Sequence, residues 1–289
     1  MNRKLLFLSL VSVSFFLCSC VDYISHIHVK KDGSGTITET VLMEKNAAQS
    51  ILYLKRGFSE NFSATQQKEQ IDASPYWWSK EDIEKQTSLM GEGVTLTSLE
   101  PCETEKGNGY KAVFSFTDIS KLRFRPKDHS RANNTHEQTE YRETNSQFLH
   151  ADSVTFSFAK GNPLKLTINM PKTQPQPNSK ADQPTSEDPM RNSLTTHMFG
   201  AMSHFFRGMR AKCILTVEGE IVETNSTYRD GNQITIMDVD FDKLFDDSET
   251  INKIMQNNAQ RAYGKNFEIL KTHPHVVYEP KDTVTIEFR

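Results

Sequence analysis

Four groups of residues in this sequence have types and spacings suited to chemistry. Cys20 closes the run Leu17-Cys18-Ser19-Cys20, in which a thiol follows a branched residue and a small one, the arrangement of a cysteine that receives acyl chains after the bond following Ser19 is cut. Asp238, Asp240, Asp242, Asp246 and Glu249 have the spacing of side-chain ligands in a calcium-binding loop, whose carboxylate oxygens suit a hard cation. His26 with His28, and His273 with His275, form two imidazole pairs. The segment from Arg191 to Lys212 sets Leu194, Met198, Phe199, Met202, Phe205 and Phe206 among Arg191, Arg207, Arg210 and Lys212 with no acid, a pattern that suits an anionic membrane surface or a lipid-like ligand.

Each group has a plainer reading. Position six of the calcium loop is Lys243 where glycine is needed, and Ile234 to Val239 alternates like a strand. Asp242 then caps a helix. Each histidine pair supplies fewer than the three or four ligands of a usual zinc site. The basic segment, whose candidate ligand contacts are Met198, Met202, Phe205, Arg207 and Arg210, also fits an ordinary core helix with its cations flanking the exit to the next strand. Trp77 and Trp78 suit a lipid or sugar contact, but Trp78 precedes the helix cap Ser79 by one residue and Ile83 by five, the placing of a hydrophobic staple. No nucleophile elbow, phosphate loop, zinc-protease motif or dinucleotide fingerprint is present; the leading reading is of a non-enzymatic binding module with no cofactor other than a calcium ion at the carboxylates, and the alternatives are a tethered metal-dependent enzyme using the carboxylates near Asp240 or a structural protein of envelope assembly.

Asn2-Arg3-Lys4 followed by the apolar stretch Leu5 to Leu17 completes an export signal over residues 1–19. The stretch is short of the roughly 20 residues a spanning helix needs, so the expected mature chain is 20–289, tethered by its lipid. Cys18 is the other possible acceptor, but it would put Leu17 where a small residue is required. Cleavage removes Arg3 and Lys4 and no acid, moving the formal charge from -3 to -5. A body of that sign is a poor binder of nucleic acid. With 36% hydrophobic residues, 25% charged residues and mean hydropathy -0.59, it is not an integral membrane protein. The mature chain keeps Cys102 and Cys213, in a compartment where they could pair.

The elements that would position these residues are mainly β-hairpins. Tyr23 to Lys30 places Ile24, His26 and His28 on one face, with an irregular alternation at Ile27 on the other, and turns at Asp32-Gly33-Ser34-Gly35 into Thr36 to Met43. A helix is expected over Lys45 to Arg56 and another over Lys80 to Met90 behind Ser79. Val94 to Leu99 and Tyr110 to Phe116 form a second hairpin, and Val154 to Phe158 with Leu164 to Met170 a third. A helix from Arg191 to Arg207 leads to strands near Arg210 to Val217, Glu220 to Tyr228 and Gln233 to Phe241, the last two joined at Asp230-Gly231. Short helices over Asp242 to Asn257 and a strand at Thr283 to Phe288 close the chain. Residues 126–152 and 171–190 read as polar excursions, the second with five prolines. The expected architecture is α+β, an antiparallel meander of hairpins with several short helices in a single domain with long polar insertions.

With Gly33-Ser34-Gly35-Thr36, Gly109-Tyr110-Lys111-Ala112-Val113-Phe114 and the run from Val217 through Tyr228 to Phe241, the chain resembles uncharacterised bacterial lipoproteins. The acylated cysteine, first hairpin and α+β body resemble the LppM-type envelope lipoproteins, most clearly from Cys20 to Met43. That resemblance implies binding of lipid or glycolipid at the cell envelope, and transfers no residue role beyond Cys20. The expected partners are therefore the membrane, a lipid-like ligand and an envelope protein. Val21 after the cysteine, in place of an aspartate that resembles an inner-membrane signal, favours the outer membrane where a cell has two.

Overall fold

Regular alternation of buried and half-buried side chains sets the architecture. The computed structural model describes residues 21–49, 52–53, 76–124, 153–170, 208–259 and 269–289. In chain order it holds β1 (Val21–Val29), β2 (Gly35–Glu44), α1 (Lys80–Thr87), β3 (Thr95–Glu103), β4 (Gly107–Phe116), a 3-10 turn at Ile119–Lys121, β5 (Arg123–Phe124), β6 (Val154–Ala159) and β7 (Leu164–Asn169). There follow β8 (Arg210–Val217), β9 (Ile221–Thr224), β10 (Arg229–Asp230), β11 (Gln233–Asp240), α2 (Phe241–Asp246), α3 (Ser248–Ala259), β12 (Val276–Tyr278) and β13 (Thr283–Phe288). The expected helix Arg191 to Arg207 and both polar excursions lie outside the described residues.

In β1 the residues Val21, Tyr23, Ser25, Ile27 and Val29 all face inward, and Asp22, Ile24, His26 and His28 face outward. The irregularity expected at Ile27 is absent. Ser25, a small polar residue at an inward position, is what blurs the pattern in the sequence. β1 turns into β2 through Asp32, whose Oδ1 accepts from the backbone and hydroxyl of Ser34, and Gly33, whose φ of 90 strains any residue with a side chain. The pair runs in unbroken register from Val21 opposite Met43 to Val29 opposite Gly35.

The larger sheet has eight strands in the order β10-β11-β8-β1-β2-β4-β3, with β12 also on β11. All its pairings are antiparallel except β1 with β8, which is parallel. Every hairpin expected over residues 23–43, 94–116 and 154–170 is present. One strand differs. The stretch expected over Glu220 to Tyr228 to pair with Gln233 to Phe241 is strand only at Ile221–Thr224, and β9 joins the second sheet, β5-β6-β7-β13-β9. Only Arg229 and Asp230 pair back across the Asp230-Gly231 turn. The antiparallel ladder with β13 at Ile286, Glu287 and Phe288 outcompetes the local hairpin.

The inward faces of both sheets meet in one apolar cluster that includes Ile27, Ile37, Phe114 and Leu215 from the larger sheet and Leu166, Ile168, Ile286 and Phe288 from the smaller. Burial of these side chains is the main favourable term in folding. The chain crosses from β8 to β9 through Gly219, at φ 107, where a Cβ would stand 2.2 Å from the carbonyl oxygen of Arg289. Such a crossing admits only glycine. The result is a single α+β domain with few, short helices.

The helices are placed by caps. Ser79 Oγ accepts from the backbone of Asp82, as the cap of α1. The helix ends at Thr87, before the expected Met90. α2 is capped by Asp240, which accepts from the backbone of Lys243, and not by Asp242 as expected. Asp242 Oδ1 instead accepts from the backbone of Gly208.

Candidate functional site

The end of the larger sheet at which β1 begins brings together Val21, Arg210, Asp240 and the contact of Trp77. Cys20 itself lies outside the described residues, as do Met198, Met202, Phe205 and Arg207. Their neighbours do not. Val21 is the first residue of β1, one peptide bond from Cys20, and stands in a row with Met43 and Asn108. Asp22 pairs with Arg210, the first residue of β8, so the segment that precedes Arg210 enters the fold at this same end. Trp77 Nε1 donates to the carbonyl oxygen of Asn108 at 3.1 Å, which ties the aromatic pair to the same row.

Beneath that rim the inner face turns polar. Tyr23 and Glu39, diagonal neighbours on β1 and β2, are joined by a buried hydrogen bond of 2.8 Å from Tyr23 Oη to Glu39 Oε1. Ser25 stands opposite both Glu39 and Cys213 and is fully buried. Its hydroxyl has no hydrogen-bond partner. Tyr110 packs beside them, with Trp78 at 5.4 Å and Trp77 at 6.3 Å between ring centroids. Tyr76 stacks on Trp78 at 4.8 Å and is 38% exposed, while the buried Nε1 of Trp78 has no partner. Buried polar atoms without partners are costly in an apolar interior.

Burial, and then the carboxylate of Glu39, push the Tyr23 hydroxyl well above its ordinary pKa, so it remains a donor. Burial likewise raises the Cys213 thiol far above its ordinary range, with Glu39 adding to the effect. A thiol held protonated is neither nucleophile nor metal ligand. Cys102 lies on the edge strand β3, four strand spacings or about 19 Å from β8. A disulfide needs Cα atoms within about 7 Å, so the two cysteines are free.

The carboxylates and cations proposed from sequence as separate sites engage each other. Arg210 donates from Nε and Nη2 to the two oxygens of Asp238, each at 2.9 Å, and Lys212 Nζ is 3.2 Å from Asp238 Oδ2. Burial works to raise the Asp238 carboxyl, but hydrogen bonds from Arg210 and Lys212 outweigh it and hold it below its ordinary pKa. Asp240 and Asp242 serve the backbone of Lys243 and Gly208. No group of three metal-ligating side chains occurs among the described residues.

The histidine pairs stay apart. His26, outward on β1, shares a 2.7 Å hydrogen bond with Thr216. His273 is buried with Nε2 3.4 Å from Asp247 Oδ2, and its Nδ1 accepts from the backbone of His275. Trp78 packs, partly buried, on the cluster that holds Ile83, as a staple does.

The Tyr23, Ser25 and Glu39 group was not anticipated, though its signal is in the sequence. At the inward parity of β2, Gly35, Ile37, Val41 and Met43 surround one acid, Glu39. An acid in the middle of an apolar face is a buried charge or hydrogen-bond partner.

No family model matches this sequence, and no curated protein does. Among solved structures, the NMR structure of the folded domain of LppM from Mycobacterium tuberculosis matches over 75% of this chain and 80% of that one, with 10% identity and a TM-score of 0.28. At that TM-score the match does not establish a shared fold.

Proposed function

We propose that this chain is a lipid-anchored, non-enzymatic binding module of the cell envelope, held to the membrane by acyl chains on Cys20. Its ligand is lipid-like, or a protein of the envelope, met at the anchor end of the body. One observation carries the reading: the residue after Cys20, the residue to which the apolar, cationic segment leads, and the aromatic pair all stand at one end of one sheet. Signals 57 or more residues apart in the sequence would have no reason to converge on that end if each were only local packing.

Met198, Met202 and Phe205, with Arg207, are the contacts we assign to the apolar and anionic parts of the ligand. Arg210, engaged by Asp238, is assigned to holding the entry of β8. In a cell with two membranes the placement we propose is the outer one.

The test is native mass spectrometry of residues 21–289, exported without the anchor, followed by lipid extraction. The reading expects a stoichiometric lipid that is lost when Phe205 or Met202 is replaced by aspartate in a folded chain. An empty body that stays empty after exposure to envelope lipids contradicts it.

A further inference from the structure

We infer that the body does not swing freely on its acyl tether but sits on the bilayer through Trp77, with Tyr76 beside it. This deepens the function proposed above and rests on acylation at Cys20. Three observations carry it.

The first is the absence of slack. β1 begins at Val21, and from Asp22 onward it is paired on both sides, to β2 and to β8. Acyl chains on Cys20 would therefore bring the end of a strand paired on both sides, not a linker, to the headgroups. The second is height. Val21, Met43 and Asn108 form one row across three strands, so Trp77, bonded to the Asn108 carbonyl, stands level with the residue next to the anchor and about 10 Å to its side. Both tryptophans of the chain lie here.

The third observation is the chemistry of the ring. Tryptophan and tyrosine favour the boundary between headgroups and acyl chains, where an amphipathic ring meets apolar and wet surroundings at once. Trp77 is partly buried against the core with its N–H on the Asn108 carbonyl, and the rest of its ring reaches the surface. Tyr76 adds an exposed phenol ring. Among the described residues, the strand ends at this rim carry Asp22, Glu44, Glu103, Glu105 and Asp240 against Lys45, Lys106 and Arg210. Acids outnumber bases among these strand-end residues, so the contact we infer at Trp77 and Tyr76 is aromatic and is expected without anionic lipid. Its effect is to hold the Tyr110 and Trp78 end of the interior against the membrane surface.

The test uses the acylated chain in phosphatidylcholine vesicles, with and without lipids brominated near the headgroup. The unmodified chain, with two tryptophans, should lose part of its emission to the brominated lipid. Trp78→Phe, which leaves Trp77 as sole emitter, should lose most of its emission, and Trp77→Phe little. Adding phosphatidylglycerol should change none of this. A chain that floats with the vesicles while Trp77 stays unquenched and open to iodide in water overturns the seating and leaves the anchor intact. A chain that does not float at all removes the anchor and the seating together.

Discussion

Tyr23 Oη donates a 2.8 Å hydrogen bond to Glu39 Oε1 in the interior of the sheet sandwich, where both residues are at least 97% buried. Tyr23→Phe removes that donor and leaves the Glu39 oxygen short of a partner. A loss of about 1 to 3 kcal/mol is expected in urea unfolding. An unchanged midpoint would show that Glu39 is satisfied without Tyr23.

The same bond sets an alkaline limit. Burial and Glu39 raise the folded pKa of Tyr23 above its unfolded value near 10. The stabilisation is therefore fully present below pH 10 and is lost as pH rises through the folded value. Unfolding followed from pH 9 upward should show a stability loss that Tyr23→Phe diminishes; identical alkaline profiles for the two chains would refute the assignment.

The thiols of Cys102 and Cys213 should differ sharply in reactivity. A maleimide added to the native mature chain should label Cys102, which is partly exposed on edge strand β3, and spare Cys213, which is 1% exposed with its thiol held protonated. Cys213 should react only on unfolding. Recovery of a Cys102 to Cys213 disulfide from the native chain would be incompatible with the sheet order.

Calcium should leave the melting temperature unchanged, because Arg210 and Lys212 already neutralise Asp238 and backbone donors occupy Asp240 and Asp242. The Asp238 carboxyl, depressed in the fold, contributes stability above its unfolded pKa that is lost as pH falls through the lower folded value. Asp238→Asn should flatten that acid limb. A calcium-induced rise in melting temperature that Asp238→Asn abolishes would restore the metal site.

Gly219→Ala should be strongly destabilising in thermal unfolding, since the new Cβ meets the Arg289 carbonyl at 2.2 Å in a left-handed conformation. Gly231→Ala, which also has positive φ but nothing within 4 Å, should cost clearly less. Equal losses would mean that the backbone conformation alone, and not the close crossing between the sheets, fixes Gly219.

The hairpins were legible because their signals are local. Asp32-Gly33 can only turn, and Val154, Phe156, Leu166 and Ile168 alternate with a period of two. The parallel pairing of β1 with β8 was not legible, since Asp22 and Arg210 are 188 residues apart and no turn chemistry records their contact. β9 was misplaced for the opposite reason: the Asp230-Gly231 turn is a genuine local signal, but its ladder is two residues long and β13 takes the rest. Of the candidate site, Cys20, the aromatic pair and Arg210 were visible as types. That Val21, Arg210 and the aromatic pair share one end of a sheet was not, because it depends on that parallel pairing and on the register of three strands.

The anchor at Cys20 is tested most directly by intact mass and terminal peptide analysis of the chain recovered from membranes of the cells that make it. The account expects a chain that begins at Cys20, carries acyl groups there, and leaves the membrane when Cys20→Ser replaces the acceptor. A chain beginning at any other residue without lipid, or one still carrying residues 1–19 on the membrane, would contradict it.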